Sequence, residues 1–303
     1  MALPTISAAS TDAAADQTNI PAAVAAVPAG RMSTRNRFLF FLVAWLIVLM
    51  PFLFWWNTWF GRRLSDKQLT EYLSDEKHPR HIQHALVQLS DRIRQGDAGA
   101  VRWYPQIVRL AFSPVEEVRN TDAWVMGQDT SVAGFHQALL NMLADSSALV
   151  RGNAGLSLVR FGDASGRLQI LDLLQPARVI APTAGSVTDA STVGTNVRLG
   201  GLIAKLHQDG GQSVEVRSPI SGRIRTLSIP VGTHMLAGAE LATVDPGDDQ
   251  VWEALRAFYL VGRPEDLPMI QRYERDSPQI SDRVRQQATL TEKAIRERSA
   301  RQP

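Results

Sequence analysis

The sequence contains no cysteine among its 303 residues. A chain without cysteine has no disulfide framework, no thiolate metal site and no cysteine nucleophile. Excess charge is also absent, because 32 basic residues face 30 acidic ones and leave a formal net charge of +2. A nucleic-acid-binding domain usually carries a clustered excess of basic residues, so this composition predicts no nucleic-acid partner. Lysine is scarce, and it occurs only at Lys67, Lys77, Lys205 and Lys293.

The start of the chain has few large apolar side chains. Residues 1–30 consist mainly of alanine, proline, threonine and serine, and a segment of this kind cannot bury a core. We therefore expect a disordered tail over residues 1–36.

The next segment is strongly apolar. Residues 38–60 contain no charged side chain, and about 20 apolar residues are enough to cross the hydrocarbon core of a membrane. Pro51 lies inside this segment, which membrane helices tolerate. A cleaved signal peptide is disfavoured, because the apolar run is too long and no small-residue cleavage site follows it. We predict a transmembrane helix over residues 37–61, with anchors at the membrane interface from Trp55, Trp56 and Trp59.

Residues 66–175 carry apolar side chains at helical spacing, arranged as pairs of helices. Val118-Arg119 and Val150-Arg151 open two first helices 32 positions apart, a period typical of helical solenoids. This pattern resembles HEAT repeats. The expected second helices of the pairs are residues 101–112, 135–143, 168–174 and 267–275.

The helical pattern stops near residue 175 and resumes near residue 249. Ala154 and Gly162 are eight residues apart, and Ala254 and Gly262 repeat that spacing after the interruption. Turn residues occur at both junctions, as expected where one domain is inserted in another. The predicted domains are helical repeats over 64–175, an inserted domain over 176–248 and resumed repeats over 249–298.

The inserted segment contains an internal repeat. Pro182 and Gly185 recur 37 positions later, and Gly194, Thr195 and Gly200 recur 38 positions later. Each copy reads as four short strands and is too small to bury its own core, which predicts an interlocked β-sandwich. The expected structural turn glycines are Gly185, Gly194, Gly200, Gly222, Gly232 and Gly238.

This double repeat resembles the biotinyl/lipoyl-like barrel-sandwich hybrid. Carrier domains of that family present a lysine at the tip of the hairpin between the two halves. Here the family spacing places Gly211 at the tip, and Lys205 falls on the preceding strand. The resemblance is therefore to the unmodified domain of haemolysin-D-type periplasmic adaptors. It implies no biotin or lipoyl cofactor, anchoring in the bacterial inner membrane, an N-terminus in the cytoplasm and the bulk of the chain in the periplasm.

The flanks of the apolar segment do not decide its orientation. Arg31, Arg35 and Arg37 precede it, and a similar number of basic residues follows it. The rule that basic residues stay in the cytoplasm is therefore nearly balanced, and the periplasmic placement depends on the resemblance.

Few side chains form a pattern typical of catalysis. His78, His81 and His84 suggest a metal site, but polar residues at the start of a helix explain them as well. Trp103, Trp124 and Trp252 are expected to pack between helices. We predict no catalytic residue, no metal ligand and no cofactor.

These observations predict an α+β multidomain chain with one N-terminal transmembrane helix, a HEAT-like α-helical solenoid and an inserted all-β barrel-sandwich hybrid. The expected function is a membrane-anchored, non-enzymatic adaptor or scaffold that docks partners of an envelope transport or secretion assembly. The alternative is an accessory structural subunit of a respiratory or biosynthetic membrane complex, or a HEAT adaptor that faces the cytosol. The expected partners are the lipid bilayer and other membrane or envelope proteins, and self-association stays open.

A solenoid offers its second helices as a continuous surface. We expect partners to contact the exposed polar positions on those helices, several of which are arginines suited to pairing with carboxylates. These candidate partner-binding residues are Arg102, Arg109, Gln137, Asn141, Gln169 and Arg272.

Overall fold

The structure is a computed structural model that describes residues 34–58, 63–208, 210–228 and 230–301. It divides into two units, Met1–Arg62 and Arg63–Pro303. The described residues contain eleven α-helices, three short 3₁₀ helices and two four-stranded antiparallel sheets. The predicted mixture of α and β structure is therefore confirmed.

The described part of the first unit is one helix, α1 (Thr34–Thr58), with Pro51 inside it. Its segment Thr34–Phe52 has a mean hydropathy of 1.6 and none of it is buried, so it is long and apolar enough to cross a membrane. The helix starts three residues before the predicted span. Trp59 and the predicted disordered tail up to residue 33 lie outside the described residues, as do the side chains of Trp55 and Trp56.

The second unit begins with helices that pack in pairs. The helices of this unit before the sheets are α2 (Asp66–Leu73), α3 (Pro79–Arg94), α4 (Tyr104–Leu110), α5 (Glu116–Met126), α6 (Ala133–Met142), α7 (Ala148–Arg160) and α8 (Arg167–Asp172); those after the sheets are α9 (Asp248–Val261), α10 (Leu267–Ile270) and α11 (Asp282–Arg301). The first helices of the pairs, α3, α5, α7, α9 and α11, form one row in which each packs on the next. Short 3₁₀ helices at Ala98–Trp103, Pro264–Asp266 and Gln271–Tyr273 flank α4 and α10.

Local signals fix several helix starts. Ser65 and Gln68 form a capping box at α2, and the Ser147 hydroxyl caps α7 by accepting from the backbone N–H of Val150. Pro79 occupies the first position of α3, where its missing N–H is not needed.

Hydrogen bonds link α5 to α7 at a nearly constant sequence separation. The Ser157 hydroxyl donates to the carbonyl oxygen of Ala123 at 2.8 Å, and Asn153 donates to the side chain of Asn120 at 2.7 Å. The partners are 34 residues apart in the first bond and 33 in the second, so these two contacts place α7 against α5 in nearly the same sequence register.

The eight strands lie between α8 and α9 in the sequence. They are β1 (Ala177–Ile180), β2 (Gly185–Ala190), β3 (Asn196–Val197), β4 (Leu202–His207), β5 (Ser213–Arg217), β6 (Gly222–Leu227), β7 (His234–Met235) and β8 (Glu240–Pro246). One sheet has the order β1-β8-β6-β3 and the other has the order β5-β4-β2-β7. Replacing each strand by its equivalent in the other half of the internal repeat converts one order into the other.

The two halves complete each other through equivalent hydrogen bonds. The N–H of Gly194 donates to the carbonyl of Ile224 at 2.8 Å, and the N–H of Gly232 donates to that of Val187 at 2.7 Å. Each sheet therefore contains strands from both copies of the repeat, and buried residues of both sheets form one apolar core.

The repeat glycines occupy equivalent backbone conformations. Positive φ angles of 73° to 92° occur at Gly194, Gly200, Gly232 and Gly238, and Gly185 and Gly222 each begin a strand. L side chains rarely adopt such positive φ angles, which explains why these turns repeat glycine.

The ends of the sheet unit lie side by side. Ala177 of β1 pairs with Val244 of β8, and helices α8 and α9 on either side of the sheets pack against each other. The side-chain amide of Gln250 donates to the carbonyl of Leu173 across this junction at 2.9 Å. The row of first helices is therefore continuous from α7 to α9, although 87 positions separate Arg160 from Gly247.

Candidate interaction surfaces

Arg102 is engaged within the chain. Its guanidinium is 2.6 Å from Asp66 and stacks on the ring of Trp103, with its carbon 4.5 Å from the ring centroid. Arg92 binds the same carboxylate at 2.8 Å, and these two arginines hold the pKa of Asp66 below its usual value. Arg102 thus connects the first turn of α2 to the segment before α4.

Three of the other predicted contact residues are exposed on second helices. Arg109 lies in the last turn of α4 and has no ion-pair partner among the described residues. Gln137 and Asn141 are one turn apart on α6 and contact each other at 3.4 Å. These three residues are available to a partner.

The last two predicted residues are less available to a partner. Gln169 is only partly exposed, and its amide contacts the carbonyl of Leu143 at 3.4 Å. Arg272 belongs to a 3₁₀ helix and lines a cavity of about 150 Å³ between the sheet unit and the C-terminal helices. Tyr273 beside it donates to the carbonyl of Leu174 at 2.6 Å, and burial raises the pKa of this tyrosine to about 12. The six residues therefore do not form one continuous patch.

A second surface lies on the first helices of the pairs, where we predicted no partner contact from the sequence. A groove of about 360 Å³ runs between α7 and α9 and ends at Trp124 of α5. Each wall presents one helical stripe of residues at spacings of three and four. The stripes are Asn153, Leu156 and Arg160 on α7, and Glu253, Arg256 and Leu260 on α9.

Trp124 corrects one expectation about the tryptophans. Trp103 packs between helices as predicted, with 2% of its surface exposed, whereas Trp124 is 39% exposed. Trp252 is covered by Arg256 and Arg283, whose guanidinium carbons are 4.6 and 3.8 Å from its ring centroid. Helical spacing alone could not distinguish Trp124 from Trp103, because it does not show which side of a helix a neighbouring helix covers.

The hairpin between the two halves of the sheet unit has no lysine at its tip. Gly211 lies in the turn after β4 with a φ of 89°, and its N–H donates to the carbonyl of Gln208. Lys205 lies within β4, opposite Glu215 of β5. The side chain that could carry a modification is therefore on the strand and not at the tip.

The histidines near the start of α3 contact an acidic residue. His78 precedes the helix and His81 lies in its first turn, and the Nδ1 atoms of both rings are within 2.9 Å of the Oδ2 atom of Asp75. The hydrogen bond from His81 and, to a smaller extent, that from His78 lower the pKa of Asp75. The third histidine, His84, contacts Gln88 through Nε2 at 3.0 Å and is not part of this group.

Comparison with known proteins identifies no family for this sequence. No protein family matches the sequence, and no curated protein matches it. Among solved structures, one similar chain is a single-chain, multi-domain long-chain acyl-CoA carboxylase, at 17% identity and a TM-score of 0.23. The match covers 41% of this chain and 14% of the carboxylase. A TM-score of this size does not establish a shared fold.

Proposed function

We propose that this protein is a membrane-anchored, non-enzymatic adaptor or scaffold of an envelope transport or secretion assembly. In this proposal α1 is the transmembrane anchor, the helices of the second unit are a HEAT-like solenoid, and the sheets are a haemolysin-D-type barrel-sandwich hybrid. The N-terminus lies in the cytoplasm and the remainder in the periplasm.

The observation that carries the proposal is the continuity of the helical row past the sheet unit. The pairing of Ala177 with Val244 brings the two ends of the sheet unit together, while α7 and α9 still pack on each other. The sheet unit therefore projects from a helical surface that it does not interrupt. In the proposed role the helical row and the sheet unit each dock a partner, at a separation that the fold sets.

The exposed side chains support docking more than chemistry. The groove combines apolar side chains with the guanidinium groups of Arg160 and Arg256, and the second helices offer the free guanidinium of Arg109. The lack of a lysine at the hairpin tip argues against a carrier function.

Site-specific photo-cross-linking tests the docking role. A photoreactive amino acid at Arg109, Gln137, Leu260 or Trp124 should cross-link to other envelope proteins in intact cells. The control position is Lys293, which is exposed on α11 and belongs to neither surface. Adducts from one surface only would identify the docking face, and partners from a respiratory or biosynthetic complex would favour the alternative of an accessory subunit. Absence of adducts from both surfaces would contradict the proposal.

Two further measurements separate the remaining alternatives. A C-terminal alkaline phosphatase fusion should be active and a C-terminal green fluorescent protein fusion dark, whereas the reverse result would indicate a HEAT adaptor that faces the cytosol. Intact-mass measurement should show no biotin or lipoyl group, and an adduct on Lys205 would instead indicate a carrier.

A further inference from the structure

We propose that Asp75, His78 and His81 bind one divalent transition-metal ion of the zinc, cobalt or nickel class. This inference is independent of the docking role and departs from the expectation that these histidines are polar residues at a helix start. It depends on the convergence of three ligand atoms in the folded chain, because the Asp75 carboxylate and one nitrogen of each imidazole all lie within 4.8 Å of one another.

The separations of these atoms suit a shared ion. The Oδ2 atom of Asp75 is 2.9 Å from Nδ1 of His78 and 2.8 Å from Nδ1 of His81. Zinc binds imidazole nitrogen and carboxylate oxygen at about 2.0–2.2 Å in tetrahedral geometry, so two of its ligand atoms are roughly 3.4 Å apart. Binding a metal would therefore lengthen each of these two oxygen–nitrogen separations by roughly half an ångström.

The donor set indicates which metals fit. Two imidazoles and one carboxylate are typical ligands of zinc and its neighbours in the first transition row, whereas magnesium and calcium prefer oxygen alone. The side chains of His78 and His81 are 63% and 43% exposed, so solvent can fill the remaining coordination positions. Such a site binds a metal but is open on one side.

The surrounding structure holds the ligands in place. The ring of Tyr72 stacks on that of His81, with centroids 4.4 Å apart and planes 12° from parallel. Backbone hydrogen bonds from His78 to the carbonyl of Asp75 and from His81 to that of His78 fix the turn that spaces the three residues. Preorganisation of this kind lowers the entropic cost of binding an ion.

The electrostatic balance also favours a cation. The start of α3 carries a partial positive charge of about half a unit, which disfavours a metal. The carboxylate of Asp75 carries a full negative charge, which outweighs this partial charge.

The chain supplies a matched control. His136 contacts Asp163 through Nε2 at 2.8 Å, which reproduces a single histidine–aspartate pair. The other carboxylate oxygen of Asp163 accepts from the hydroxyl and N–H of Ser165, and no second imidazole reaches this carboxylate among the described residues. A single hydrogen-bonded histidine–aspartate pair should not retain a metal. Comparing His136 with His78 therefore distinguishes metal binding from a hydrogen bond alone.

The experiment is a cobalt titration of the full-length chain in detergent, after metal removal and with an affinity tag that contains no histidine. The wild type should bind one cobalt ion per chain with a visible ligand-field spectrum that zinc abolishes. His78→Ala and Asp75→Asn should each weaken binding by about 10-fold or more, and His136→Ala should leave it unchanged. Zinc should also raise the melting temperature of the wild type and of His136→Ala, but not of Asp75→Asn.

Metal-free melting curves provide the folding control. His78 is exposed, so His78→Ala should unfold like the wild type when no metal is present, and any loss of binding is then a loss of a ligand. Failure of the wild type to bind cobalt saturably would overturn the proposal. So would unchanged affinity in both His78→Ala and Asp75→Asn, because the contacts would then be hydrogen bonds only.

Discussion

The α-carbon of Gly222 lies against the carbonyl oxygen of Asp245, so that a Cβ atom built on Gly222 would come within 1.8 Å of it. The same relationship occurs in the other half of the repeat, where a Cβ on Gly185 would lie 2.4 Å from the carbonyl oxygen of His207. Backbone atoms cannot move aside as a flexible side chain can. The two glycines are thus needed for the approach of strands β6 to β8 and β2 to β4.

Gly222→Ala should therefore destabilise the sheet unit by about 2 kcal/mol or more, because β6 and β8 must separate to admit the methyl group. Gly210→Ala is the control, since no atom lies within 4 Å of its Cβ position. Urea denaturation followed by circular dichroism measures both. Equal stability of the two variants would show that β6 and β8 pair differently.

The ion pair between Arg119 and Asp145 should contribute to the stability of the helical part of the chain. Arg119 binds the carboxylate at 2.7 and 3.0 Å and also donates to the carbonyl of Ser113, and its two ionised groups are only 13% and 10% exposed. Arg119→Ala leaves the Asp145 carboxylate without its partner and should cost about 3 kcal/mol. Arg94→Ala, which removes an exposed pair with Asp91, should cost less than about 1 kcal/mol.

The same pair predicts a pH dependence. The hydrogen bond from Arg119 lowers the pKa of Asp145 below its ordinary 3.8. The stabilisation by this pair is therefore complete above pH 3.8 and is lost as the pH falls through the lowered pKa. Denaturation at pH 7 and pH 3 should show that the difference between wild type and Arg119→Ala shrinks in acid. A constant difference would mean that the charge of Asp145 is not involved.

Replacement of Asp122 should stabilise the protein. Asp122 is fully buried on α5, neither carboxylate oxygen has a partner among the described residues, and burial raises its pKa well above 3.8. Asp122→Leu should add about 1–2 kcal/mol, because it removes an unpaired polar group. The raised pKa means that ionisation destabilises the folded state, so the gain should be larger at pH 8 than at pH 5. The control is Asp172→Leu at an exposed position, which should change stability little.

A pair of carboxyl groups near the C-terminus should reduce stability as the pH rises. Burial is the main cause that raises the pKa of Glu274 to about 7, and a hydrogen bond to Glu292 adds to this effect. The pKa of Glu292 is lowered to about 2 by hydrogen bonds, of which that from Gln271 has the largest effect. The stabilisation linked to protonated Glu274 is complete below pH 4.5 and is lost as the pH rises through 7.

The wild type should therefore melt at a lower temperature at pH 8 than at pH 5.5, and Glu274→Gln should reduce this difference. Glu297→Gln on α11 is the control, since Glu297 is 52% exposed and pairs with Lys293 at 3.9 Å. Thermal melts at the two pH values measure the effect. An identical pH dependence in wild type and Glu274→Gln would contradict it.

Excision of the sheet unit should leave a folded helical protein. Deletion of residues 176–247 with a short glycine–serine bridge retains the contact of Gln250 with Leu173 and joins ends that are already adjacent. The partly buried side chain of Leu149 packs on the sheet core and becomes exposed, so a modest loss of stability is expected. Circular dichroism should retain a helical spectrum and a cooperative melt. An aggregated product would show that sheets and helices share one folding unit.

The sequence by itself determined the local elements, because each depends on neighbouring residues. Apolar side chains at helical spacing placed the helices, and α7 begins near the predicted Val150-Arg151. The recurrence of Gly194 and Gly200 as Gly232 and Gly238 indicated four equivalent turns, since a positive φ angle restricts residue type strongly. The apolar composition of Thr34–Phe52 was likewise sufficient to identify a helix suited to a membrane.

Only the tertiary structure decided which elements and side chains meet. The internal repeat predicted two interlocked halves, but no local pattern encodes that the strands which cross between them pair as β2 with β7 and β3 with β6. Arg102 is held by Asp66, which is 36 positions earlier, and Trp124 is exposed in a groove that exists only because α7 and α9 meet across the sheet unit. Spacing along one helix defines an apolar face, but contacts between distant segments determine which polar side chains remain free for a partner.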